Sequence, residues 1–119
     1  MSNLVLESTK KAIGVGPGYT AFDDEILGHI LSAFFTLRQL GVGPAEIPDV
    51  DETTTWASLG IKPGLLPGVK NHVRLTVRLS FDPPTTSFHL EAMKEQVAQV
   101  EWRLVEGNEN TQLDGEEAV

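Results

Sequence analysis

Cysteine is absent from the 119-residue chain, which excludes a disulfide framework, a zinc ribbon and a thiol nucleophile. The fold must be held by packing alone. Basic residues are scarce: 9 Lys and Arg stand against 17 Asp and Glu, a net charge of -8. No run of Lys and Arg is dense enough to read as a phosphate-neutralising footprint, so tight DNA binding by the isolated chain is disfavoured. Long apolar runs are missing too. AFF at Ala33 to Phe35 is as long as any, far short of the ~20 residues that span a bilayer, so no membrane association is expected. The N-terminal MSNLVLESTKK has its basic pair after the apolar residues and no small-residue cleavage pattern. It therefore predicts no signal peptide, and synthesis in the cytoplasm.

Chemical constellations are equally sparse. His29, His72 and His89 are far apart in sequence, and none has a second ligand at metal-binding spacing, so each reads as a structural histidine. GVGPG lacks the Lys-Ser/Thr of a phosphate loop and follows no strand. No nucleophile-elbow motif frames any Ser. Asp23, Asp24 and Glu25 are explained by a helix's first turn, where carboxylates meet the positive end of the dipole. No catalytic, metal or cofactor-binding residue is assigned, and no cofactor is expected.

What is present is a helical grammar. Hydrophobic residues make up 40% and charged ones 22%, the balance of a single globular domain. Residues 2–13 place Leu4, Val5, Leu6, Thr9, Ala12 and Ile13 along one helical face, with Ser2 or Asn3 as cap and Lys10 and Lys11 near the C-terminal end. From about residue 21 to 40, Phe22, Ile26, His29, Ile30, Ala33, Phe34, Leu37 and Leu40 recur at steps of three and four, with Thr20 as the expected N-cap. GVGP follows each segment, at 14–17 and 41–44. The helices before the two copies share no pattern, so this is a twice-used terminator rather than an internal repeat. Residues 45–67 form a proline-rich loop with a short candidate helix, TTWASLG, closed by Gly60.

Residues 69–81 fit two patterns. Val73, Leu75, Val77, Leu79 and Phe81 alternate as a strand would, while Val69, Val73 and Val77 also form a helical face opposite Lys70, Asn71, Arg74 and Arg78. Helix is favoured because no second strand candidate exists to pair with it; a hairpin partner hidden in the loop would reverse the choice. Pro83 and Pro84 then enforce a stiff hinge. After a cap at Thr85, Thr86 or Ser87, a last helix to about Val105 carries Leu90, Met93, Val97, Val100 and Leu104 at alternating steps of three and four, with Phe88 and Trp102 on its flanks. Glu106, Glu109, Asp114, Glu116 and Glu117 concentrate negative charge in residues 106–119, leaving 12 acidic against 9 basic residues in 1–105. The expected fold class is all-α: a compact small helical bundle over residues 1–105, with a proline-rich loop, and an acidic C-terminal tail over 106–119.

The order of TKKAIGVGPGYTAFDDEILGHI, FFTLRQLGVGP, TTTWASL and VRLTVRLSFDPPTTSFHLEAMKEQVAQVEWRL resembles small head-to-tail connector proteins, or adaptors, of long-tailed bacteriophages and prophages. The paired Asp ahead of an apolar helix ending in QLGVGP, the single Trp of the loop, the FDPP hinge and the closing EWRL carry the likeness, over about residues 8–105. The resemblance implies a non-enzymatic virion protein at the capsid vertex. Such a protein forms a ring, commonly of twelve copies, under the portal protein, extends the DNA channel and offers a platform to stopper and tail-completion proteins. DNA passes through without specific binding, and the C-terminal segment reaches toward the portal. The contact positions expected for such partners are Trp56, Leu65 and Leu66 of the loop, Trp102, Leu104 and Val105 of the last helix, and Leu113 of the tail, with Pro83 and Pro84 as hinge. Two alternatives stand beside it: another neck protein, such as a stopper or tail-completion protein, and a cytoplasmic regulator dimerising through Leu90, Met93, Val97 and Leu104.

Overall fold

The computed structural model describes residues 3–44 and 49–117, with side chains described to Asn108. Its elements are α1 (Val5–Ala12), α2 (Asp23–Gln39), a single 3-10 turn (Ala57–Leu59), α3 (Leu66–Phe81) and α4 (Ser87–Glu117). The fold is all-α, a small helical bundle with no strand among the described residues. The only pairing of strand type there is an isolated antiparallel bridge between Leu4 and Thr55.

The two GVGP segments end α1 and α2 by the same hydrogen bonds. After α2, Val42 N–H donates to the Leu37 carbonyl at 3.0 Å and Gly41 N–H to that of Arg38 at 2.9 Å; after α1, Val15 donates to Lys10 at 2.8 Å and Gly14 to Lys11 at 3.3 Å. This crossed pair is the Schellman motif. It requires a left-handed residue where Gly14 (φ 85°) and Gly41 (φ 79°) stand, and it satisfies carbonyls that the helix leaves open. Val42 is buried at 3% exposure, the hydrophobic closure that accompanies the motif.

The helix starts differ from the sequence expectation. The first helix begins at Val5 with Leu4 in the cap position and no side-chain cap, because the preceding residues pair with the loop: Val5 N–H donates to Thr54 O at 2.9 Å and Trp56 N–H to Asn3 O at 3.0 Å. The second begins at Asp23 with Phe22 as cap residue. Thr20 contributes its carbonyl, accepting Asp23 N–H at 3.2 Å, rather than its hydroxyl. The first-turn carboxylates are where they were expected, and Asp23 has a second task. Its carboxylate meets Lys10 Nζ at 2.8 Å, with Glu7 at 3.9 Å from the same ammonium. Lys10 is 1% exposed, so this pair ties α1 to the start of α2, and removing one partner would strand a buried charge.

Residues 69–81 are helix, and the reason given for preferring helix is the physical one: backbone groups satisfied within the segment need no second strand. Pro67 occupies the first turn, where a missing N–H costs nothing. Helix α3 is the centre of the molecule, packing on α1, α2 and α4. His72 and Leu75 are buried, and Val69, Val73 and Val77 join Ile26, Ile30, Phe34 and Leu37 of α2 and Val5 and Leu6 of α1 in one apolar core. Each apolar side chain of that core contributes roughly 1.5 to 3 kcal/mol on leaving water.

At FDPP the chain reverses. Residues 82–86 connect α3 to α4, Thr86 caps α4 by accepting His89 N–H at 3.3 Å, and α4 runs back antiparallel along α3. The two helices approach tightly at Gly68, where a Cβ would lie 2.7 Å from Leu104 Cδ2. A second contact joins the fully buried His72 to Glu101, Nε2 to Oε2 at 2.9 Å.

Helix α4 does not stop near residue 105. It continues to Glu117, so most of the expected tail has helical backbone. Asn108, buried at 9% exposure, accepts from Lys62 Nζ at 2.9 Å and donates to the Gly41 carbonyl at 3.2 Å. The first turn past residue 105 is thereby fastened to the loop and to the end of α2. Gly107, a poor helix residue by propensity, lies over Leu65.

Candidate interaction surface

Among the described residues no group of three or more His, Asp or Glu is placed to hold a metal ion, and no helix is long and apolar enough to cross a membrane. The histidines have local partners. His72 bonds Glu101 inside the α3–α4 contact, His29 lies 3.6 Å from Glu25 one turn earlier, and His89 Nδ1 lies 2.8 Å from the Thr86 hydroxyl.

The structure separates the contact positions expected from sequence into two groups. Trp56, Leu65 and Leu104 are buried at 4%, 7% and 4% exposure. Trp56 stands edge-on to Phe34 with centroids 6.1 Å apart, donates Nε1–H to Ser8 Oγ at 2.9 Å and lies beneath Lys70 Nζ at 5.6 Å. It is the rivet that holds the loop on the body. Leu66 and Val105 are half-buried beside the same core. Trp102, by contrast, is 63% exposed. Leu113 lies outside the residues whose side chains are described. Of the hinge pair, Pro83 is exposed and Pro84 half-buried.

Phe88 is 79% exposed and lies fourteen residues before Trp102, two heptads along α4, which returns both rings to one side of the helix. Exposed Glu91, Glu95 and Glu106 occupy that side with them. The opposite side of α4 faces α3 through Leu104 and the half-buried Leu90, Met93, Val97 and Val100. A second exposed apolar pair, Leu31 and Phe35, lies on the outward face of α2, and exposed Tyr19 and Phe22 form a third, with Phe22 tilted against Tyr19 at 5.6 Å and edge-on to the half-buried Phe81 at 5.3 Å. Single exposed apolar residues are ordinary; here two rings share one face of α4.

The cations that the sequence placed on the wet face of residues 69–81 form a basic strip. The solvent-facing side of α3 presents Lys70, Arg74 and Arg78, successive at i+4, and α3 contains no Asp or Glu. Lys70 and Arg74 border a cleft against Ser8 and Ala12 of α1 with Trp56 at its floor, and Arg78 borders another with Met93 and Gln96 of α4. Spaced by four, these cations form no run in the sequence, and the helical period is what gathers them on one face.

In the loop, Asp51 accepts from Thr53 Oγ1 at 2.6 Å and from Thr53 N–H at 2.8 Å. These bonds, the hydroxyl's first, hold its carboxyl below the usual carboxylate range and shape the turn that leads to Trp56.

The sequence pattern of one family, described as phage connector protein, matches residues 5–111, from the first residue of α1 to beyond Asn108. No curated protein and no solved structure matches the chain. With α1, α2, α3 and most of α4 inside the matched span, the chain belongs to the phage connector protein family, and its role is that of a connector in the phage neck.

Proposed function

We propose that the protein is the head-to-tail adaptor of this neck: a non-catalytic subunit that assembles as a ring under the portal protein, extends the DNA channel and receives the stopper or tail-completion protein. The observation that carries the reading is the division of α4. One face builds the monomer's own core through Leu104, while the other presents Phe88 and Trp102 to solvent, as a subunit does when neighbours complete it. A net charge of -8 suits a channel wall, since like charge disfavours adhesion of passing phosphates.

The dimeric regulator reading loses its seam. Leu104 is committed to Gly68 of the chain's own α3, and Leu90, Met93 and Val97 are half-buried in the same helix pair. Co-sedimentation of the purified chain with portal-bearing, DNA-filled heads tests the proposal. Several copies bound per portal support it; a chain that stays in the supernatant beside intact heads overturns it.

A further inference from the structure

We propose that the basic groove floored by α3 receives the outer, acidic and aromatic face of α4 from a second copy of the chain. This rests on the adaptor reading above and specifies which two surfaces meet.

The groove comes first. Lys70, Arg74 and Arg78 are joined by exposed Arg103 on the flank of α4, which shares a cleft with Asn71 of α3. None of the four is ion-paired among the described residues, and Arg78 Nε is buried without an acceptor. The walls are nearly free of carboxylate. Ser8 and Ala12 line the α1 side, Met93, Gln96 and Val100 the α4 side, and Asp82 alone borders the end at the hinge. Arg74 donates to Asn71 Oδ1 and Lys70 lies over Trp56, but in a chain with 17 acidic residues four cations with no carboxylate partner along these adjoining clefts suit an anionic occupant that the monomer does not supply.

The chain carries a surface of that chemistry elsewhere. On the outer face of α4, Glu91 is 73% exposed with Lys94 Nζ 3.5 Å from it at the surface, Glu95 and Glu106 are exposed, and Phe88 and Trp102 project beside them. Carboxylates at residues 91 and 95 are one helical turn apart, the same repeat as Lys70 and Arg74, so a helix laid along the groove sets the charges in register. The exposed rings supply the large apolar anchors on which interfaces depend, and the groove offers Trp56, Met93 and Val100 as apolar lining. Groove and face are different patches of the same subunit. Their contact is head-to-tail, the kind that propagates and closes into a ring when the rotation permits.

Charge reversal on both sides tests this. A groove variant carries Lys70→Glu and Arg74→Glu; a face variant carries Glu91→Lys and Glu95→Lys. Each places like charges at every contact with itself, whereas an equimolar mixture restores opposite charges at every contact if the two variants alternate. Copies bound per portal-bearing head are counted by sedimentation and quantitative gel for wild type, each variant and the mixture. Wild type is expected to load, each variant alone to load at least ~100-fold more weakly, and the mixture to recover. Recovery also proves that both variants fold. Variants that load alone as wild type does would overturn the interface and leave the adaptor reading intact. A groove variant that fails and is not rescued by the face variant would overturn it as well, assigning the groove to the portal instead. Wild type that fails to load would remove the adaptor reading beneath it.

Discussion

Helices α3 and α4 pack against each other as neighbours yet obey opposite rules. The first is 16 residues long, carries no carboxylate and is covered by α1, α2 and α4 on all but one strip. The second is 31 residues long, and Leu104 and Asn108 are its buried side chains among those described. The difference teaches which helix the monomer needs and which it displays. Substitutions along α3 should act on folding, and those on the outer face of α4 on assembly.

The largest effect is expected inside α3. Val73 is 0% exposed, and Val73→Asp would bury a charge without a partner. A loss of roughly 4 kcal/mol or more is expected, a large part of a small domain's total stability, seen as unfolding at room temperature in far-UV circular dichroism. If Val73→Asp melted like wild type, α3 would not be the centre of the fold. Next comes the α3–α4 contact. A valine at Gly68 drives its side chain into Leu104, 2.7 Å from the position of a Cβ, and Gly68→Val should cost about 1 to 3 kcal/mol in urea unfolding.

Asn108 sharpens the comparison along α4 itself. In Asn108→Ala the Lys62 ammonium and the Gly41 carbonyl lose their partner, at a cost of about 1 to 2 kcal/mol. Hydrogen exchange should rise in the turns around residue 108 and stay unchanged near His72. Protection around residue 108 unchanged between wild type and Asn108→Ala would mean that the end of α4 is held by something else. The smallest stability effect belongs to the outer face. Phe88→Ser with Trp102→Ser removes the exposed rings and should leave the unfolding midpoint within about 0.5 kcal/mol of wild type, while copies bound to portal-bearing heads fall sharply. A destabilised double variant would show that these rings serve the monomer.

Most of the fold was legible in the sequence because helical periodicity and terminators are local signals. The two GVGP stops were readable from glycine and proline chemistry alone, and the hinge from Pro83 and Pro84. Residues 69–81 resolved as helix on the argument that an unpaired strand is costly. What escaped was long-range. The extension of α4 depends on Asn108 reaching Lys62 and Gly41, which lie 46 and 67 residues away in sequence, and residues 106–119 read locally as an acidic tail. Helix starts shifted for a similar reason, since the Leu4–Thr55 bridge claims the residues before α1.

The candidate surface divided along the same line. An apolar residue's type does not say whether its own core or a partner's will take it, so Trp56 and Leu104 went inward while Trp102 stayed out. The α3 cations were read only as the wet face of one helix. Their isolation from carboxylates became visible when α1 and α4 were in place beside them.

The most direct test of the connector account is a cryo-electron map of the neck of the intact particle. The account predicts a ring of helical subunits between portal and tail, into which this fold docks with α3 of each copy turned toward the outer face of α4 on the next. A neck whose density is filled without this chain, with the protein left free in the host cytoplasm, would contradict it.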